Sequence, residues 1–196
     1  MKKGHIFFIS GVAGAGKGTV IRALLKDETF NLNLALSCKT REPRIGEKPG
    51  IDYIKLTLEE FKKSIENNEF LEYNFIHNQA YYGTRIKDVL DDGINLGRYI
   101  LKEMDILILP KVLEENKISR EHFTYIFLDI PLEEIKNRMA SRGDDVTGND
   151  YVNRINSAKK EKELIYLADH IIDASLSPEE TLLELKKIIN NKINQN

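Results

Sequence analysis

Gly11-Val12-Ala13-Gly14-Ala15-Gly16-Lys17-Gly18-Thr19 is the stretch on which the fold turns. It reads G-x-x-x-x-G-K, then Gly-Thr. The apolar run His5–Ser10 before it fits a buried strand, and Thr19–Leu25 after it has the pattern of a helix. A strand, a glycine-rich loop and a helix in that order make a phosphate-binding loop. The glycines let backbone N–H groups turn inward onto phosphate oxygens. The helix places its positive dipole end at the same point. Lys17 adds a point charge for the β- and γ-phosphates, and Thr19 a hydroxyl near the phosphates and a magnesium ion. The strict pattern has Ser or Thr directly after the lysine, whereas here Gly18 intervenes. A turn that merely joined strand to helix would leave Lys17 idle in a tight loop. A nucleoside triphosphate carried with Mg2+ is therefore the expected ligand of Gly11, Val12, Ala13, Gly14, Ala15, Gly16, Lys17, Gly18 and Thr19.

Outward from the loop, strand and helix patterns alternate. Leu34–Ser37 is a short second-strand candidate. Lys39–Gly50 is charged and turn-rich, a long loop of the kind that often carries function. Thr57-Leu58-Glu59-Glu60 is a capping box, with Leu58, Phe61 and Ile65 on one face of the helix that follows. Phe70–Ile76 and Ala80–Tyr82 read as strands, Lys87–Leu96 as a helix, and Arg98–Leu101 and Phe123–Ile130 as strands. Leu132–Ser141 and Tyr151–Leu167 read as helices and His170–Asp173 as a last strand. Ser177-Pro178-Glu179-Glu180 is a second capping box, opening a helix lined by Leu182, Leu185 and Ile189. This alternation predicts an α/β domain with a largely parallel sheet. The strand signals clustered in Tyr53–Tyr82 predict a small antiparallel inset.

The composition, 41% hydrophobic and 31% charged, reads as that of an ordinary soluble globular protein. The formal net charge of -2 argues against nucleic acid or an anionic membrane as the main partner, so anion binding must come from local basic clusters. A single cysteine, Cys38, rules out an internal disulfide and points to a reducing compartment. No apolar run approaches the roughly 20 residues of a membrane span, and Ile6–Ile9 is short for a secretion signal. A cytoplasmic location, as monomer or homodimer, is expected. His5, His77, His122 and His170 lack metal-ligand spacing, and nothing equips Cys38 as a nucleophile.

Thr40-Arg41-Glu42-Pro43-Arg44-Ile45-Gly46-Glu47, then Gly50-Ile51-Asp52-Tyr53, points to the second substrate. Two arginines three apart on a loop can converge on one phosphate. Tyr53 adds a phenol donor, and Glu47 can hold the arginines in place. Here the sequence resembles the guanylate kinase family, whose T-T-R-x-P-R-x-G-E-x-x-G-x-D-Y it matches from Thr40 to Tyr53. Glu69-Phe70-Leu71-Glu72-Tyr73, Tyr81-Tyr82-Gly83-Thr84, Arg138 with Arg142-Gly143, Arg154 and Glu161 continue the match in order.

The resemblance implies one domain with a P-loop NTPase-type parallel sheet core flanked by helices (1–36, 97–137 and 156–196). It adds a small mixed α+β GMP-binding inset (about 37–96) and a helical lid (about 138–155). It implies that ATP phosphorylates GMP, and dGMP as well, with Mg2+. Ser37, Arg41, Arg44, Tyr53 and Tyr82 would take the GMP phosphate, and Glu47 would support the arginines. Glu72 and Thr84 would read the guanine: a carboxylate can accept from N1–H and the exocyclic amine together, and Thr84 could donate to O6. Adenine would leave Glu72 unpaired. Arg142 and Arg154 would be lid arginines acting with Lys17 and Arg41 on the transferring phosphate. Arg138 would sit near the ATP adenine and phosphates.

The chain departs from the family pattern in several places. The loop lacks the usual S-G-P-S-G proline and second serine. Lys39 stands where threonine is usual, and the turn between His77 and Tyr81 is one residue longer. Glu103-Met104-Asp105 takes the place of D-x-D, with one extra residue before it, and makes Asp105 a partner for guanine or for the magnesium shell. Asp173-Ala174-Ser175 replaces an asparagine near the adenine. Two rival readings stand beside this one: a nucleoside monophosphate kinase with another acceptor, against which Glu72 speaks, and a catalytically dead binding module, against which the intact loop speaks.

Overall fold

His5–Gly11 forms β1, and all seven of its residues are buried, as in a strand covered on both faces of a parallel sheet. A computed structural model describes residues 4–43, 46–76, 80–141, 143 and 145–195, which leaves Arg44 and Arg142 outside the described residues. Among the described residues the strands form two sheets. The larger is parallel throughout, in the order β2 (Leu32–Leu34), β7 (Tyr99–Glu103), β1, β8 (Phe123–Asp129) and β9 (His170–Asp173). Helices α1 (Lys17–Lys26), α3 (Leu109–Glu115), α4 (Leu132–Ser141), α5 (Asn149–Glu163) and α6 (Pro178–Gln195) flank it. Ile6–Ile9 and Tyr125–Leu128 fill its centre, with Val20 and Leu24 of α1 and Leu185 and Ile189 of α6 packed onto the same core. Helix α6 opens where the sequence signals it, and α1 opens at Lys17, two residues before the expected Thr19. Gly16, in the left-handed region at φ 83, caps α1, and Ser177 Oγ accepts from Glu180 N at 3.2 Å at the head of α6.

The smaller sheet has the order β4 (Ile54–Lys55), β3 (Cys38–Lys39), β6 (Ala80–Arg85), β5 (Phe70–Ile76). The β5–β6 pair is antiparallel as expected, and β3, which was not expected as a strand, adds an antiparallel pair with β6 and a parallel one with β4. Helix α2 (Leu58–Glu66) starts at the expected capping box: Thr57 Oγ1 accepts from Glu60 N, and Glu60 Oε2 from Thr57 N. Its buried Phe61 stacks on Phe70 at 4.3 Å and on Tyr81 at 5.1 Å. With Cys38 these rings make a second small core. No described helix is long and apolar enough to cross a membrane.

Four expectations shift. The second strand is Leu32–Leu34 rather than Leu34–Ser37, because it pairs with Tyr99–Leu101 and the chain then turns off toward the smaller sheet. Lys87–Leu96 is not one helix but a π-type turn over Lys87–Asp91 and a 3-10 turn over Ile94–Leu96. Gly93 breaks it where the backbone folds against Val89, so closely that a Cβ would lie 2.3 Å from the Val89 carbonyl oxygen. Strand β7 runs on past Leu101 because Lys102 and Glu103 pair with Phe8 and Ile9 of β1. Helix α5 ends at Glu163 and a 3-10 turn follows over Ile165–Leu167. Helix α3, with Pro110 in its first turn and a left-handed Asn116 as its stop, was not expected from periodicity.

Phe61→Ala would empty the centre of the second core. It should cost about 3–5 kcal/mol in a urea unfolding series; a loss below about 1 kcal/mol would show that the small sheet does not depend on this ring stack.

Candidate active site

Gly11 ends β1 at φ 147, in a space where a Cβ would meet the Leu128 carbonyl oxygen at 2.3 Å. Only glycine lets the strand pass so close to β8 and turn into the loop. Lys17 folds back across that loop: its Nζ donates to Gly11 O at 2.6 Å and Val12 O at 3.3 Å, and lies 3.9 Å from Glu103. The ammonium is thus held across the loop by the loop's own carbonyls.

Glu103 is fixed by the sheet. Ile9 of β1 is its register partner, Met104 N donates to Ile9 O at 3.1 Å, and the buried Tyr125 hydroxyl donates to Met104 O at 2.7 Å. Asp105 caps the next turn by accepting from Leu107 N at 2.9 Å. Glu103, Asp105, Lys17 and Glu161 of α5 line one cavity of about 230 Å³ against the loop. Burial pushes the Asp105 carboxyl up. Burial, and then the Asp105 charge, push Glu161 up to about 7 while Lys17 opposes them.

On the opposite side lies a cationic arm. Arg41 grips Glu47 through both ends of its fork, at 2.6 and 2.7 Å, and its Nε donates to the Tyr82 hydroxyl at 2.8 Å. The Glu47 contact, ahead of the Tyr82 bond, raises the guanidinium's pKa. Lys39 Nζ donates to the same Glu47 at 3.3 Å and sits 4.9 Å over the Tyr53 ring. The Arg41 guanidinium is 5.9 Å from that ring and 5.9 Å from the Tyr82 ring. Tyr82 accepts from Arg41 and keeps its own proton to give. Among the described residues the buried Tyr53 hydroxyl has no hydrogen-bond partner, a state that costs about 1–3 kcal/mol. An orphaned donor beside two cations suits an anionic oxygen.

Where β5 pairs with β6 the groove is chemically different. Glu72 of β5 faces Thr84 of β6 across the ladder, and the Thr84 hydroxyl donates to Glu72 Oε1 at 2.5 Å. Both are buried. Burial pushes the Glu72 carboxyl up, Lys102 and the Thr84 bond pull it down, Asp105 pushes it up again and Lys111 opposes. Thr84 gives its one proton to Glu72 and is 0% exposed, so in this arrangement it backs the carboxylate and is not the expected donor to O6. Ser37, Arg41, Glu47, Glu72, Tyr82 and Asp105 line one cavity of about 450 Å³. Ser37, Lys39, Glu47 and Glu103 also line an adjoining one of about 480 Å³ that reaches Gly18. Asp105 and Glu103 link this groove to the Lys17 cavity.

Arg138 ties the loop to the far end of the sheet, donating to Gly14 O at 3.2 Å and Ala174 O at 2.8 Å. With Thr19 and Gly16 it lines a separate cavity of about 130 Å³. Thr19 thus faces the Arg138 side of the loop rather than the Lys17 cavity. Arg154 is half-buried on α5. Sequence reasoning missed Lys102, a buried ammonium whose Nζ donates to Ser37 Oγ at 2.6 Å. The available signal was a lysine directly after the apolar strand run Tyr99-Ile100-Leu101 and before Glu103-Met104-Asp105. Glu161 was noticed as part of a motif but given no role.

The chain matches the family described as guanylate kinase over residues 3–192. It is 35% identical over 189 residues to a guanylate kinase of Mycoplasmopsis pulmonis, covering 95% of this chain and 94% of that one. It is 40% identical over 161 residues to one of Clostridium acetobutylicum, covering 82% and 73%. A crystal structure of guanylate kinase from Anaplasma phagocytophilum superposes with a TM-score of 0.75 at 27% identity, over 97% of this chain and 87% of that one.

Tyr53→Phe removes the orphaned hydroxyl. Stability should hold or rise by up to about 1 kcal/mol, while KM for the substrate bound on the Arg41 arm rises about tenfold with little change at the loop. A destabilised variant with unchanged KM would place that hydroxyl in the fold rather than in the site.

Proposed function

The chain belongs to the guanylate kinase family and carries out its reaction, ATP-dependent phosphorylation of GMP to GDP; on that premise we propose how its residues divide the work. ATP lies with its phosphates in Gly11–Thr19 under Lys17, and Arg138 stands by the adenine end. The GMP phosphate rests on Ser37, Arg41, Arg44, Tyr53 and Tyr82, with Glu47 holding the Arg41 fork. Glu72 accepts from guanine N1–H and the exocyclic amine, with Thr84 behind it and Asp105 close by. Arg142 and Arg154 close from a lid at about 138–155 over the core, and about 37–96 forms the GMP-binding inset. dGMP is accepted as well, since no contact assigned here needs the 2′-hydroxyl.

The observation that carries this division is the continuity of the groove: a buried carboxylate–hydroxyl pair at one end, a cationic arm along the side and the Lys17 loop at the other end. One carboxylate on β5 selects the base, and the arm holds the acceptor phosphate toward the loop.

Catalysis in this arrangement is positioning and charge neutralisation without a covalent intermediate. Lys17, Arg41, Arg142 and Arg154 offset charge spreading over the transferring oxygens. Lid and inset exclude water, so ATP is not hydrolysed without an acceptor. Among the described residues no three His, Cys, Asp or Glu side chains stand close enough to cage a metal. Mg2+ keeps most of its waters and binds chiefly through nucleotide phosphates; the Thr19 hydroxyl, expected near the ion, lines the Arg138 cavity and not the one beside Lys17, so it would hold the ion only through water or from the far side of the loop. When bound, the ion neutralises and orients the phosphate oxygens.

A coupled ADP-release assay with GMP, dGMP, AMP, UMP and CMP tests the base assignment. GMP and dGMP should be turned over and AMP rejected by several orders of magnitude; AMP outrunning GMP would overturn it. Glu72→Gln should raise KM for GMP far more than KM for ATP, and equal losses would remove Glu72 from base recognition. Lys17→Ala should abolish turnover while leaving the thermal transition in place; near-normal turnover would sink the loop assignment.

A further inference from the structure

Lys102 has no role in the division of work above, yet its position is costly. It lies on β7, between β2 and β1, and is 2% exposed. A buried ammonium costs several kcal/mol unless it is paired, and an apolar residue of the same length is often as stable or more so. Stability alone gives no reason for a lysine here.

Its surroundings do. The Lys102 Nζ donates to Ser37 Oγ at 2.6 Å, and Ser37 lines the same cavity as Glu72. We propose that Lys102 is a positioning residue for recognition of the acceptor base: from beneath the groove its ammonium holds the Ser37 hydroxyl oxygen, turns that hydroxyl's proton toward the base, and balances the negative charge of Glu72. This rests on the placement of the guanine against Glu72.

The hydrogen-bond accounting supports the first half. A serine hydroxyl has one proton and two lone pairs. With Lys102 donating to the oxygen, the proton is free to leave in the other direction. Guanine presents a carbonyl oxygen, O6, beside the two donors that Glu72 accepts. The Thr84 proton is committed to Glu72; in this proposal Ser37, held from behind by Lys102, gives its proton to O6 in place of the phosphate contact, and the acceptor phosphate is left to Arg41, Arg44, Tyr53 and Tyr82.

The charges support the second half. Glu72 accepts from both guanine donors only while ionised, and burial works against that. Lys102 is the largest opposing influence, followed by the Thr84 hydrogen bond; Asp105 adds to burial and Lys111 opposes it. Around Lys102 itself, burial favours the neutral amine, Glu72, Glu103 and Cys38 favour the ammonium, and Lys39 works against it.

The test compares pH profiles of kcat/KM for GMP, and KM for ATP, in wild type, Lys102→Met, Lys102→Gln, Ser37→Ala and the Lys102→Met/Ser37→Ala double variant. A carboxylate loses binding as pH falls through its pKa, so removing the opposing cation moves that acid limb upward. Lys102→Met should raise KM for GMP about tenfold or more, shift the acid limb up by about one pH unit or more, and leave KM for ATP within about twofold of wild type. Ser37→Ala should cost little in the Met background. Lys102→Gln keeps a donor for Ser37 and loses the charge, so the acid limb should still move while KM for GMP at high pH rises less. An unmoved acid limb in both Lys102 variants, additive effects of Ser37 and Lys102, or equal rises in KM for both nucleotides would overturn the proposal. Should the Met variant fail to fold, an unmoved limb in Lys102→Gln overturns it alone. Glu72→Gln run in parallel separates the two levels. If it leaves KM for GMP unchanged, the base placement fails; if it raises KM and the Lys102 variants do not, only the role of Lys102 fails.

Discussion

The parallel pairing of β1 with β7, which sets Ile9 opposite Glu103, is the constraint from which the site follows. In an open α/β sheet ligands collect outside the carboxyl ends of the strands, where the order of connections reverses. Here β1 is that switch point, with β7 on one side and β8 on the other. Its carboxyl end must turn at once, and Gly11 makes the turn against the Leu128 carbonyl with no room for a side chain. The turn becomes the loop that cradles Lys17, while the adjacent end of β7 delivers Lys102, Glu103 and Asp105. The Tyr125 hydroxyl, bound to Met104 O, locks the third strand to the same ledge. The donor loop and the acceptor floor are therefore set by one stretch of sheet register, and not by loops finding each other.

The base-reading end is tied to that ledge as well. Strand β5, which carries Glu72, packs against α3 and the Asp105-capped turn, and Lys117 Nζ donates to Phe70 O at 3.0 Å. The arm that grips Glu47 hangs from the other side of the small sheet. Its anchors are the Arg41–Tyr82 hydrogen bond and Lys55, which reaches Thr40 O at 3.2 Å. The groove thus has a stiff floor bonded to the core and one wall held by a charge pair.

The parts of this arrangement that the sequence carries locally were readable from it. The glycine loop, the arginine-rich segment before Tyr53, the capping boxes at Thr57 and Ser177 and the β5–β6 hairpin are set by residues within a few positions of one another. What escaped depended on distant partners. Lys102 reads as the end of a strand because a charge normally marks one; β7 continues through it because Phe8 and Ile9 supply the ladder and Ser37, 65 residues away, supplies the hydrogen bond. Lys87–Leu96 has helical periodicity, but the backbone's approach to Val89 breaks it at Gly93. Thr84 was expected to face the ligand, and only the β5–β6 register reveals that its proton goes to Glu72. The family resemblance placed site residues by position and was silent on Lys102, where chemistry depends on what the strand is packed against.

The groove also contains more acid than a polyanion-binding site would seem to tolerate: Glu103, Asp105 and Glu161 beside the phosphate loop, Glu47 and Glu72 beyond it. Burial resolves the conflict. Burial and the neighbouring Asp105 charge push Glu161 up to about 7, and burial displaces Asp105 in the same direction. Glu47 is neutralised by Arg41 and Lys39. The carboxylate that must stay ionised is Glu72, since it has to accept two donors at once, and it is also the one with the opposite charge of Lys102 among its strongest influences. Burial thus pushes Asp105 and Glu161 toward the neutral acid beside the phosphate loop, and at the base-reading end it pushes Glu72 the same way while Lys102 leads the influences that oppose it.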